Sequence, residues 1–209
     1  MTRLNRRWIA LGLALAATEA GATEYQRSVA RYELPDVTLV NQDGARVKLK
    51  DVIAPGTPTF VQFVFTSCPT ICPILGAIFS SFQAKLGPAA DDLRFVSISI
   101  DPEHDEPARM KAFLQRYNAK ANWSFLTGSR EDIRAVQRAF DTSTGDKMSH
   151  TPLTFFFSPS EGAWVRIGGF IGAAELVSEF EGASSGSKVS RHAPRTAKPT
   201  SEAALTTPP

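Results

Sequence analysis

The stretch from Thr59 to Pro73, TFVQFVFTSCPTICP, decides the fold. Its first half, Thr59 to Phe65, is a nearly continuous apolar run, as in a strand buried on both faces of a sheet. It passes directly into Thr66-Ser67-Cys68. Pro73, after Cys72, suits the first turn of a helix, where its missing N–H has no helical acceptor. Ile74, Ile78, Phe82 and Leu86 then recur every fourth residue, with Leu75 and Phe79 beside them, which makes one apolar helix stripe that Gly87-Pro88 ends. The only two cysteines in the chain therefore stand where a buried strand gives way to a helix.

Working outward, Glu33 to Leu49 alternates around the turn-forming Asn41-Gln42-Asp43-Gly44 and predicts a hairpin. Downstream, Leu93 to Ile100 is a second apolar strand ending at Asp101-Pro102, followed by a helix from about Pro107 to Tyr117. Strand, helix, strand in this order implies a parallel pair. Trp123 to Leu126 is a short strand and Arg130 to Phe140 a helix with Ile133, Val136 and Phe140 on one face. Leu153 to Phe157 and Trp164 to Ile167 form two more strands, and Ala173 to Phe180 a closing helix. The expectation is one α/β domain over residues 23–182.

The ends differ from this body. Arg3, Arg6 and Arg7 precede a short apolar run, Trp8 to Ala17, and Ala20-Gly21-Ala22 offers a small-x-small cleavage site, so residues 1–22 are expected to be a signal peptide. The run is too short for a membrane anchor, which needs roughly 17 to 25 apolar residues. The chain is therefore expected to be exported. Of 23 basic and 21 acidic residues, the leader holds three arginines and Glu19, leaving 20 of each. A near-neutral mature chain gives no footprint for nucleic acid. Residues 183–209 are rich in Ser, Ala, Thr and Pro and are expected to be disordered, since they cannot bury enough surface to offset their ordering entropy.

In an oxidising compartment two cysteines usually make a structural disulfide. Cys68 and Cys72, however, lie four positions apart, and so small a loop removes little disorder from the unfolded chain. Placed before a helix, whose N-terminus carries free N–H groups and partial positive charge, the pair favours thiolate and suits redox change, metal capture or both. Two thiolates need a third donor to hold a metal. His192 falls in the tail, and His104 lies in the charged loop DPEHDEP, where a solvated side chain is the ordinary outcome. His150, just before the strand at Leu153, is the candidate ligand. Two thiolates and one imidazole suit copper, Cu(I) especially, while structural zinc usually asks for four protein ligands. Met148 has a soft thioether two residues before the histidine, although packing at the sheet edge is the commoner role for such a residue.

Three segments together, FVFTSCPTICP (Phe63 to Pro73), SISIDPEHDEPARM (Ser97 to Met110) and KMSHTP (Lys147 to Pro152), resemble the Sco/SenC family of cytochrome oxidase assembly proteins, over about Glu33 to Phe180. The resemblance implies a thioredoxin-like fold, a central mixed sheet flanked by helices with an N-terminal β-hairpin. It implies one copper held by Cys68, Cys72 and His150. It also implies a role in maturing the binuclear copper site of cytochrome c oxidase, with that enzyme's copper-site subunit or another copper or thiol protein as partner. An exported member would work in the periplasm, at the outer face of the inner membrane, with membrane association weak or through the partner. Asp101, Pro102, Asp105 and Pro107 match the family's DPxxDxP motif and are expected to shape the loop near the site, with Asp101 supporting the ligands from behind. Thr70 stands where the family often has an acidic residue. Thr151-Pro152 before a strand resembles the loop that presents a cis-proline to the thiols of thioredoxin-like reductases.

Two functions compete on these residues. One is a copper-binding assembly factor. The other is a thiol-disulfide oxidoreductase using Cys68 and Cys72 as its redox-active pair, although three intervening residues depart from the two usual in such enzymes. Peroxide reduction ranks last, because Cys72 and His150 have no role in it.

Overall fold

The structure, a computed structural model, describes residues 25–143 and 145–184. The expected leader, residues 1–22, lies outside these residues, as does nearly all of the expected tail. An eight-stranded mixed sheet runs β1-β8-β7-β4-β5-β6-β2-β3. Its centre is the quoted stretch. Strand β4 (Thr59–Val64) is buried at every residue and pairs in parallel with β5 (Arg94–Ser99) and antiparallel with β7 (Leu153–Ser158). Strand β6 (Trp123–Thr127) continues the parallel part beside β5. Strand β8 (Ala163–Gly168) turns back against β7.

Side-chain alternation along β4 explains two cores. Phe60 and Val64 face an aromatic layer with Phe79, Phe82, Phe95, Trp123 and Phe156 beneath α2 (Ile71–Leu86), α3 (Pro107–Arg116) and α5 (Ala173–Ser184). Val61 and Phe63 face the other layer, where α4 (Arg130–Ala139) brings Ile133 and Val136 and the short α1 (Leu49–Val52) brings Leu49. A polar group interrupts the first core: Gln62 Nε2 and Trp123 Nε1 both donate to Ser97 Oγ, at 2.8 and 2.9 Å.

The expected hairpin is β2 (Thr38–Asn41) with β3 (Arg46–Lys48), and β2 attaches antiparallel to β6. Asn41 Oδ1 accepts from the amides of Asp43 and Ala45, and Gly44 takes φ of +79°, a conformation side chains disfavour. Strand β1 (Gln26–Ala30), on the far edge against β8, has no counterpart in the sequence reading. Helix α5 runs to Ser184, two residues beyond the expected domain end. The Thr151–Pro152 bond is trans, as are the other described peptide bonds, so the cis-proline loop is not reproduced.

Gly76 sits inside α2, where alanine would ordinarily stabilise by about 1 kcal/mol. A Cβ there would meet the Tyr117 ring at 2.6 to 2.8 Å. Gly76→Ala should therefore destabilise the protein, by roughly 1–3 kcal/mol as overpacking does. Urea unfolding checks this, and a stabilised variant would refute it.

Candidate metal and thiol centre

Cys68 lies in the turn after β4, outside the helix, and Cys72 lies in the first turn of α2. The two therefore do not stack on one helix face, the arrangement a helical turn would have imposed. Instead Cys68 Sγ accepts the Cys72 amide at 3.4 Å, taking the place of an N-cap where the Thr70 side chain makes no cap bond. Phe65 N–H donates to Cys72 Sγ, also at 3.4 Å. Both cysteines are free thiols and both are buried, Cys72 almost completely.

Their chemistry diverges. Burial opposes ionisation of Cys68, but hydrogen bonds from the Cys72 and Thr70 amides and side chains outweigh it and hold its pKa below the usual thiol value. No acidic residue occupies the first turn of α2 to counter this, so Thr70 at the family's acidic position leaves the helix end positive. Burial pushes the Cys72 thiol far up, with further upward contributions from Cys68 and the Asp105 charge. Cys68 should accordingly react first with iodoacetamide as pH rises toward 9, with Cys72 inert over the same range. Mass spectrometry of the singly modified chain reads this, and equal labelling of both would contradict it.

His150, buried before β7, places Nε2 3.8 Å from Cys72 Sγ. Its Nδ1 lies 2.8 Å from the Lys147 carbonyl oxygen, which can only accept, so Nδ1 donates there and Nε2 is the nitrogen that faces the sulfur. The turn presenting it, Lys147–Ser149, is capped by Asp146, whose carboxylate accepts the Met148 amide. The Phe65 ring meets His150 edge-on at 5.8 Å, and Lys147 Nζ sits 5.5 Å above that ring. Among the described residues, no three His, Cys, Asp or Glu side chains are gathered into a ready-made metal cage. The donors meet in sequence, Cys68 to Cys72 and Cys72 to His150.

The DPEHD loop braces both halves. Asp105, buried, accepts from the Thr66 amide at 3.1 Å, from Thr66 Oγ1 at 2.5 Å and from Ser99 Oγ at 2.6 Å, anchoring the turn that leads to Cys68. Asp101 accepts Lys147 Nζ at 2.6 Å and thereby fixes the turn whose carbonyl orients His150. Burial acts to raise the Asp101 pKa, but Lys147 and His104 overcome it and hold the carboxyl below its usual range. His104, expected to be solvated, is 57% exposed yet pairs with Asp101 at 3.0 Å. Met148 does not pack at the sheet edge: it is 51% exposed. Lys147, Thr66 and Ser99 carry no sequence-level expectation of a role. Lys147 and Thr66 flank the candidate donors in sequence, which is the one local signal pointing to them.

The SCO1 protein homolog of Bacillus subtilis is 41% identical over 98 residues, 46% of this chain and 50% of the homolog. The chain spans about half the length, or less, of the first curated relatives it matches. A solved structure of BsSco, described as a member of the Sco family of cytochrome c oxidase assembly proteins with a disulfide switch, is 31% identical with a TM-score of 0.61, covering 74% of this chain and 94% of that one. Copper-bound ScoI of Bradyrhizobium japonicum is 26% identical with a TM-score of 0.54, covering 69% and 94%. The mixed sheet flanked by helices is thus the thioredoxin-like architecture of Sco structures. The SCO1/SenC family model matches residues 26–181, from the first residue of β1 into α5, and the chain belongs to that family.

Proposed function

We propose that the protein is a copper-binding assembly factor that holds one copper ion through Cys68, Cys72 and His150 and helps mature the binuclear copper site of cytochrome c oxidase. The observation that carries this is the 3.8 Å approach of His150 Nε2 to Cys72 Sγ with Nδ1 tied back to a carbonyl. Metal-binding histidines commonly hold their second nitrogen in this way. Copper, when bound, supplies a soft centre that two thiolates and an imidazole satisfy and that a partner's thiol or imidazole can take over by ligand exchange.

The chain's own residues set the terms of capture. Cys68 ionises first and offers the entry thiolate. Cys72 gives up its proton only as the metal arrives, so affinity falls with acid. Phe65 donates its amide to the Cys72 sulfur and covers the histidine with its ring, keeping water from the pair. Lys147, held by Asp101, fixes the histidine's tautomer. Export by the leader at residues 1–22 would place this chemistry in the periplasm, facing the outer side of the inner membrane. Among the described residues no helix is long and apolar enough to cross a membrane. A competition titration of the reduced chain with Cu(I) tests the proposal: one copper per chain is expected, and no competitive binding would refute it.

The opposite pKa shifts of the two free thiols favour a second reading, thiol-disulfide exchange. Here the Cys68 thiolate attacks a client disulfide, and the Cys72 thiolate then displaces the client thiol. Two electrons pass to the client, and a Cys68–Cys72 disulfide remains. Reduction of a mixed disulfide by metal-free protein, lost in Cys68→Ser and Cys72→Ser, is its test.

A further inference from the structure

Beside the cysteine turn lies a cleft of about 290 Å³ lined by Thr66, Ser67, Arg109, Ala112, Phe113 and Arg116. Ser67, in its lining, immediately precedes Cys68 in the turn after β4. Its walls are unlike: the turn supplies uncharged groups, and one face of α3 supplies two exposed arginines. Their charge is poorly compensated. Arg109 reaches only the exposed Glu106, at 3.9 Å, a contact of little weight in water, and Arg116 has no ion pair among the described residues. Asp105 is close in sequence but buried and committed to Thr66 and Ser99, leaving its oxygens turned inward.

Among the described residues three large apolar side chains are exposed, and two of them, Ile74 and Met148, lie two positions from Cys72 and His150 respectively.

We propose that this cleft docks an acidic segment of the protein with which the site exchanges copper or electrons, a segment whose carboxylates pair with Arg109 and Arg116 while its thiol lies over Cys68. Seven residues of helix set the two arginines roughly 10 Å apart along the axis, a span matched by carboxylates about three residues apart on an extended chain. The partner is thus a thiol protein with an acidic, extended strand or loop beside its cysteine. The inference rests on the copper and thiol reading of the site, and it names that site's partner.

The test uses the reduced, metal-free full chain and a short fluorescein-labelled peptide bearing two glutamates three residues apart around a serine, with the glutamine version as control. Anisotropy should show the glutamate peptide binding roughly tenfold more tightly at low salt, as two modest ion pairs would give. The preference should shrink with added salt and vanish in the double variant Arg109→Ser, Arg116→Ser. Equal binding of the two peptides, or a preference that survives in the double variant, overturns the proposal. Copper stoichiometry is measured separately on the same proteins. Absence of copper binding in the wild type would defeat the copper reading, while the peptide preference would still decide the docking cleft on its own.

Discussion

His150→Ala should weaken Cu(I) binding by about a hundredfold or more, since even the partners behind a metal-binding histidine are worth 10- to 100-fold. The same substitution should leave the attack of Cys68 on a disulfide close to its wild-type rate, because the hydrogen bonds that favour the Cys68 thiolate come from Cys72 and Thr70. Competition titration measures the first quantity and reduction of a model disulfide the second. Unchanged copper affinity would remove His150 from the ligand set. A parallel collapse of both activities would mean that the ring serves to pack the turn against Phe65. Cys72→Ser discriminates further: it should abolish copper retention and also trap the mixed disulfide at Cys68, since the resolving thiol is gone.

Asp105→Ala should lower stability by about 2–4 kcal/mol, the cost of leaving buried donors without their acceptor. The Thr66 amide, Thr66 Oγ1 and Ser99 Oγ would all lose the carboxylate together. In a domain of this size that is a fall in Tm of roughly 10 °C, read by calorimetry on the reduced protein. A change below about 0.5 kcal/mol, the range of ordinary surface substitutions, would show that Asp105 is not the anchor of the cysteine turn.

The sequence made the centre of the molecule readable because burial there is written in the residues. TFVQFVF is apolar apart from Thr59 and Gln62, so it reads as an interior strand, and Ile78, Phe82 and Leu86 with Leu75 and Phe79 read as a helix lying on it, although Ile74, expected to head that stripe, is exposed. Strand β1 was not readable for the opposite reason. Gln26 to Val29 are exposed, and their place comes from pairing with β8 and from the grip of Tyr25 and Arg27 on Glu179, 2.6 and 2.7 Å away and some 150 residues downstream. At the site, residue types pointed to Cys68, Cys72 and His150, but not to how they would be arranged. The cysteine turn turned out non-helical because a sulfur caps the helix, a role that no propensity assigns to cysteine. Lys147 was invisible because the group that matters toward His150 is its backbone carbonyl, and any residue carries one.

Asp101 and Asp105 lie four residues apart in one loop, yet one grips the turn that carries the histidine and the other the turn that carries the cysteines. The loop makes the two halves of the site a single mechanical unit. The ordering entropy that a metal or a client disulfide would otherwise have to meet on arrival is therefore met when the chain folds, which raises affinity without adding any contact to the bound species. Loosening either carboxylate would surrender part of that advantage at both halves, and the effects of changing both would fall short of their sum.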